Sequence, residues 1–374
     1  MNALDALLAR ARERPKNLSE ADLRTLVALS SPDEIRRVHE AAYALKCRFS
    51  GRLVSVRGLV ELGNVCAKDC LYCGIRKSNA ALARYRLAPD DVERLARASA
   101  ALGYRSLVLQ GGEIESETQT TYVEEILRRI RPLQLGVTLS LGEQSEEVYR
   151  RWHDAGASRY LLRIESANPD LYARLHPADH SWSRRVECLR ALRRTGYQVG
   201  TGTMSALPGQ TPQDLARDIL FFGEIDADMI GMGPYLPHPD TPLGRTTEAL
   251  AVTNEDRLRI GLNMIAATRL YLHDVNIAAT TALQALAPDG REQGILAGAN
   301  VLMPNVTDVA YRRRYQLYAG KPALDETADG TRQALDKSLA AIGERLNLDG
   351  RGDSPHFFAR QGMNEPHDKS IPRS

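Results

Sequence analysis

A barrel of eight strand–helix units is the α/β fold this chain predicts, and three observations predict it. From residue 51 onward, short β-rich runs alternate with longer amphipathic stretches, the pattern of βα units on a parallel sheet. Eight such runs can be read off the chain, the number of strands in a (β/α)8 TIM-type barrel. Polar residues recur at the C-terminal end of each run, where a barrel builds its site from loops. The rival, a doubly wound open sheet, would more often carry about five or six strands and a Gly-rich first turn, which is absent.

The elements follow in order. Residues 1–50 read as an N-terminal helical extension: Ser19 caps one helix, and Ser31-Pro32 starts another with Pro at the first turn. The barrel spans 51–346, with strands expected at 53–62, 106–110, 135–141 and 159–164. Four more are expected at 199–206, 229–235, 276–282 and 300–304. Helices are expected between them, among others at 89–102, 146–155, 183–194, 212–222 and 255–271, several ending in glycine: Gly103, Gly156, Gly196 and Gly223. Residues 347–374 are polar and non-periodic, a mobile or wrapping C-terminal tail.

Composition removes several classes of function. The chain has 374 residues, 43% hydrophobic and 26% charged, which excludes a disordered or collagen-like protein. Basic residues number 49 against 47 acidic ones, interleaved along the chain, so no nucleic-acid face is expected. Arginine runs such as Arg312-Arg313-Arg314 fall in helix-like stretches and read as solvated faces. No apolar run reaches the roughly 18–20 residues that cross a bilayer. The N-terminus lacks the apolar stretch of a signal peptide, so the expected address is the cytoplasm.

Three of the five cysteines crowd into Cys66-Ala-Lys-Asp-Cys70-Leu-Tyr-Cys73, just after the first strand. Structural zinc wants four ligands, and after Cys73 no Cys or His follows before His153. A redox CxxC of Cys70 and Cys73 would leave Cys66 unexplained. An iron–sulfur cluster accounts for all three thiolates. Cys47 and Cys188 lie in helical contexts and read as buried free thiols.

The CxxxCxxC spacing, with Tyr72 inside it, resembles the radical S-adenosylmethionine (SAM) enzymes. The resemblance extends to HydE-type [FeFe]-hydrogenase maturases through Leu109-Gln-Gly-Gly-Glu113, Thr138-Leu-Ser-Leu-Gly-Glu143, Arg159-Tyr-Leu-Leu-Arg163 and Leu207-Pro-Gly-Gln-Thr211. It continues through Pro237-His-Pro-Asp-Thr-Pro-Leu243, Ala278-Ala-Thr-Thr-Ala282 and Ala299–Asn305, covering about residues 55 to 320. Biotin synthase and methylornithine synthase share the SAM half of this pattern. The resemblance implies a [4Fe–4S] cluster held by Cys66, Cys70 and Cys73, with one iron open to SAM. One electron would then cleave SAM to a 5′-deoxyadenosyl radical inside the barrel. SAM contacts would come from Tyr72, Gly111, Gly112, Glu113, Ser140, Glu165 and Arg184. Arg163, Thr280, Thr281 and Tyr311 would meet the substrate, with Tyr315 an alternative cover and His238 either a site residue or the polar cap of a rigid loop. The implied substrate is a small molecule, a cysteine-bound iron carbonyl–cyanide precursor from HydG, with the product passing to HydF. A ferredoxin or flavodoxin would supply electrons.

Two departures qualify the match. Ile164 stands where many HydE-like chains have His, which matters if that side chain touches substrate and not if it packs behind the strand. Residues 319–330 lack the three cysteines that bind an auxiliary cluster in some relatives. Two other readings stay open: a paralogue acting on another amino-acid-like or thiol-containing molecule, and a non-catalytic cluster carrier.

Overall fold

The computed structural model describes residues 3–362 and contains twelve strands among them. The first half supplies β1 (Leu53–Val56), β2 (Gly58–Gly63), β3 (Ser106–Gly111), β4 (Gly136–Ser140), β5 (Arg159–Leu161) and β6 (Gln198–Thr201). The second half supplies β7 (Met204–Ser205), β8 (Met229–Ile230), β9 (Gly233–Pro234), β10 (Asn276–Ile277), β11 (Val301–Leu302) and β12 (Arg345–Asn347).

β2, β3, β4, β5, β6, β8 and β10 pair side by side, all parallel. β1 and β2 are one run interrupted at Arg57, and β11 closes the ring. It pairs with β1 at Ser55↔Val301 and meets the end of β10 at Ala278↔Val301. The result is the closed eight-unit barrel expected above. The first two runs are matched over their length, and the other six strands are shorter than the β-rich runs suggest. Runs five and six each split, and their outer pieces β7 and β9 form a separate two-stranded pair nearer the C-terminal face. Run seven stops at Ile277, and Thr281 and Ala282, expected in a strand, begin the helix Thr281–Leu286.

Between the barrel strands run helices on the outer side, for example Pro89–Ala101, Glu117–Ile130, Trp182–Arg194 and Pro212–Glu224. The helix ends obey backbone sterics. Gly103, Gly156 and Gly196 take the positive φ expected of them, but Gly223 lies inside its helix, and Asp226 (φ 55°) takes the left-handed position instead. In the extension, Ser19 and Asp22 cap each other reciprocally ahead of Glu20–Val27, and Pro32 opens Pro32–Ser50. Asn263 of the helix Asn254–Leu272 donates to Leu29 O (2.9 Å), fastening the extension to the barrel wall.

The two ends of the barrel differ in kind. The N-terminal end is plugged by a polar layer around the buried Arg57 and Arg159. The chain after β12 closes it: Asp353 pairs with Arg159 at 2.5 Å, and Gly352 O accepts from Arg57 (3.1 Å) and Asn276 (3.0 Å). The segment from 347 thus begins in a strand and continues into the helix Pro355–Arg360; residues 363–374 lie outside the described residues. The C-terminal end is open. Among the described residues no helix is long and apolar enough to cross a membrane.

Candidate active site

The open end holds a cavity of about 320 Å3, within the size range of small-molecule sites, about 300–1,000 Å3. Its polar floor is the cysteine loop. Cys66, Cys70 and Cys73 all line it, and the loop is pinned by backbone bonds: Ala67 N–H to Glu113 O (2.8 Å), Leu71 N–H to Leu175 O (2.9 Å) and Gly74 N–H to Leu317 O (2.9 Å). Gly112 is required by this packing. A Cβ there would lie 2.2 Å from Val65 O and 2.7 Å from Cys66 Cβ. Burial pushes all three thiols up, Cys73 to about 12, and thiolate neighbours push Cys70 and Cys73 further. As bare thiols they are protonated at neutral pH, so only a bound cationic centre would hold three thiolates in this loop. The donor set therefore fits a thiolate-ligated cluster. Cys188 is engaged elsewhere, its thiol donating to Gln144 O at 3.6 Å.

Beside the cysteines stands a buried charge network. Glu113 accepts from Glu143 N–H (2.9 Å), and Arg185 Nε donates to Glu143 Oε1 (2.7 Å). His180 Nε2 lies between Arg185 Nη2 (2.6 Å) and Glu143 Oε1 (3.1 Å), while its Nδ1 is 3.9 Å from Cys70 Sγ. Burial alone would raise Glu143, but His180 and Arg185 outweigh it and hold the carboxyl at about 2. Glu113 has weaker charged neighbours, His180 at 3.7 Å and Lys68 and Arg185 at 3.8 Å each, and burial pushes its carboxyl up. Its Oε1 is enclosed with no hydrogen-bond donor, an acceptor aimed at whatever fills the cavity. Glu165, at φ 64°, sits 2.9 Å from Arg163 Nη2 in a charge contact that lacks hydrogen-bond geometry, leaving Oε2 without a donor. Tyr72 donates to His176 Nε2 (3.2 Å), whose Nδ1–H donates to Tyr172 O (2.8 Å); burial lowers that imidazole to about 3, keeping it neutral.

Most of the residues singled out in the sequence therefore converge. Cys66, Cys70, Tyr72, Cys73, Gly111, Gly112, Glu113, Ser140, Arg163, Glu165, Thr280 and Thr281 all line one cavity. Two do not. Arg184 is half exposed on the outer side, 3.7 Å from Glu115 and 3.8 Å from Glu143, and the buried arginine facing the cavity is its neighbour Arg185. Tyr311 stacks on Tyr85 (centroids 4.9 Å apart) outside the lining, while Tyr315 and Tyr318 line it. Where two arginines stand side by side on a helix, which of them faces inward is invisible without the packing. His180, Arg185 and Arg291 were not foreseen, because each comes from a helix or loop flanking the strand ends.

Comparison with known proteins turns this geometry into a family. A profile of the radical SAM superfamily matches residues 60–222. The "[FeFe] hydrogenase maturase subunit HydE" of Thermotoga maritima is 42% identical over 320 residues, 86% of either chain. The chain belongs to the HydE family of radical SAM enzymes. The 3-methylornithine synthase of Methanosarcina acetivorans is 25% identical over 76% of this chain and 79% of its own. Two solved structures share the fold. A methylornithine synthase (PylB) superposes with a TM-score of 0.77, at 21% identity, over 92% of this chain and 97% of that one. The maturase HydG of Carboxydothermus hydrogenoformans gives 0.77 at 18% identity, over 92% of this chain and 79% of that one. Against this family, the departure at Ile164 has a structural answer. The side chain is fully buried in the core and absent from the cavity lining. The cysteine-free segment 319–330 is held by a lysine. Lys321 pairs with the buried Glu61 and donates to Tyr315 O at 2.9 Å.

Proposed function

We propose that this enzyme matures the diiron active site of [FeFe]-hydrogenase, with Cys66, Cys70 and Cys73 holding a [4Fe–4S] cluster and SAM bound beside it. The three thiols lining one cavity at the barrel's open end, with no fourth cysteine lining it, carry the reading, and the HydE kinship supports it. When bound, cluster and SAM supply one electron and, by cleavage of the sulfonium C–S bond, a 5′-deoxyadenosyl radical.

The chain's own residues bind, orient and enclose. Glu113, kept free of strong partners, accepts from the SAM ammonium, and Gly111 and Gly112 let backbone approach it. Glu165 and Ser140 present acceptors at the strand ends for the ribose. Arg185 and His180 position Glu143, which in turn holds Glu113 through its backbone N–H. Arg184, outside the cavity lining and held only by long contacts to Glu115 and Glu143, would meet the SAM carboxylate by swinging inward. Tyr315, Leu317 and Tyr318 cover the cavity from the segment after β11, excluding water and stray hydrogen donors. The substrate is a cysteine-bound iron carbonyl–cyanide precursor, delivered by HydG and passed on to HydF, with a ferredoxin or flavodoxin as reductant.

Anaerobic reconstitution tests this. The wild type should gain the visible absorption of an iron–sulfur cluster, release 5′-deoxyadenosine from SAM, and support activation of apo-hydrogenase alongside the other maturases. Cys70→Ala should abolish all three. Cluster absorption or deoxyadenosine release surviving in that variant would overturn the ligand assignment. Deoxyadenosine release without hydrogenase activation would redirect the substrate to another thiol or amino acid.

A further inference from the structure

One contact of the cysteine loop has a direction that its surroundings fix. Cys66 Sγ accepts from Lys68 N–H at 3.4 Å, and the Ile75 N–H serves Cys73 in the same way. Cys70 Sγ meets a side chain: His180 Nδ1 lies 3.9 Å away, within reach of a bond to the large sulfur atom. His180 Nε2 lies 2.6 Å from Arg185 Nη2. A guanidinium can only donate, so Nε2 accepts and the ring hydrogen sits on Nδ1. In a doubly protonated ring, Nε2–H would turn to Glu143 Oε1, 3.1 Å away, and Nδ1 would keep its hydrogen. In both states an N–H faces Cys70.

The ring is held in that orientation. Its side chain is only 2% exposed, which keeps water from competing for the sulfur. The Nε2 edge is enclosed by Arg185, Glu143 and, at 3.7 Å, Glu113. His176 packs edge-on against the ring, with centroids 4.9 Å apart. That second imidazole is itself fixed by Tyr172 O (2.8 Å) and Tyr72 OH (3.2 Å). The two histidines thus grip the loop at Tyr72 and at Cys70. An N–H bonded to a cluster thiolate draws charge from it and favours the more negative oxidation state. Exclusion of water strengthens the effect.

We infer that His180 acts on the cluster through Cys70: its Nδ1–H bonds the Cys70 thiolate and raises the cluster's reduction potential. This deepens the function proposed above and rests on it for the presence of the cluster. The step it favours is transfer of one electron from the ferredoxin or flavodoxin, taking the [4Fe–4S] centre from its 2+ to its 1+ charge. The hydrogen stays on Nδ1 throughout.

The test is a potentiometric titration of the reconstituted enzyme without SAM, followed by electron paramagnetic resonance of the reduced cluster. His180→Asn and His180→Leu have nearly the same shape and both lose the Nε2 contacts. Only Asn offers an N–H where Nδ1 stands. At the potential that half-reduces the wild-type cluster, His180→Leu should show a reduced-to-oxidised ratio about threefold or more lower, part of the worth of one charge-assisted bond. His180→Asn should recover most of that loss. An unchanged ratio in His180→Leu, or equal falls in both variants, overturns the inference.

A measurement on the wild type decides the matter even where a variant loses its cluster. With nitrogen-15 histidine incorporated, pulsed resonance of the reduced cluster should show coupling to an imidazole nitrogen. Absence of that coupling also overturns the inference. A wild type that takes up no cluster overturns this contact and the proposed function together. The expected shifts in an enzyme that releases no deoxyadenosine would strike the function and leave the contact standing.

Discussion

At the scale of single residues, the site depends on close approaches more than on charges. Gly112 is the sharpest case, since a methyl group there would run into the Val65 carbonyl and Cys66. Val65 and Cys66 belong to backbone fixed by the Ala67–Glu113 bond, so neither can give way cheaply. Gly112→Ala should leave far-ultraviolet circular dichroism unchanged yet lower iron bound after reconstitution by at least about half; full iron content would refute the argument. The three cysteines announced themselves in the sequence because thiolates at that spacing have few other uses. The role proposed for Glu113 rests on resemblance together with its orphaned Oε1. Its partners, His180 and Arg185, reach it from the loop and helix after β5, and nothing local in the chain marks them.

At the scale of elements, sequence periodicity located every barrel strand but overestimated most of them. Runs such as 199–206 and 229–235 stay apolar past the ladder because their outer halves wall the cavity instead of pairing in the ring: Met204, Tyr235 and Leu236 line it. Alternation cannot distinguish a residue buried by a helix from one buried by a ligand cavity. The helix Pro355–Arg360 was not expected at all, and its stability is electrostatic. His356 bridges Asp226 (2.9 Å) and Asp274 (3.1 Å), while Arg360 reaches Asp228 at 2.8 Å. Burial works against the charged imidazole, but the two aspartates dominate and raise it from 6.5 to about 9. A raised pKa of this sign stabilises fully below pH 6.5 and is lost as pH rises through about 9. Amide exchange in 355–362, corrected for its intrinsic pH dependence, should therefore accelerate above pH 9. His356→Gln should be fast at every pH, at a cost of about 1–2 kcal/mol once solvent screening is allowed for. Equal protection at pH 6 and pH 10 in the wild type would disprove the latch.

For the whole molecule, the barrel's two ends divide the work, and stability should be separable from chemistry. The cluster loop, the charge network and the cavity lie at the strand C-termini, as the fold predicts. The other end is a plug whose closing residue, Asp353, comes from a segment that composition alone marked as tail. Its polarity is the reason: Arg57 and Arg159 are too deep for water, so the chain that covers them must bring carbonyls and a carboxylate rather than apolar side chains. Arg159 Nη2 also donates to Arg351 O (3.0 Å), and Gln198 Nε2 donates to Asp353 Oδ1 (2.8 Å), so one carboxylate organises several donors. Asp353→Asn keeps the shape and removes the charge. It should cost about 2–4 kcal/mol, less than a fully buried pair because Asp353 keeps some exposure. Burial raises the Asp353 carboxyl, but Arg159 and Gln198 prevail and lower it. The stabilisation is thus present above pH 3.8 and fades as pH falls below it. Urea unfolding of the two proteins should differ at pH 7 and converge in acid. Deoxyadenosine release per bound cluster should be unchanged in Asp353→Asn at temperatures where it stays folded. A variant as stable as the wild type, or one folded but slow in SAM cleavage, would show that the two ends are not independent.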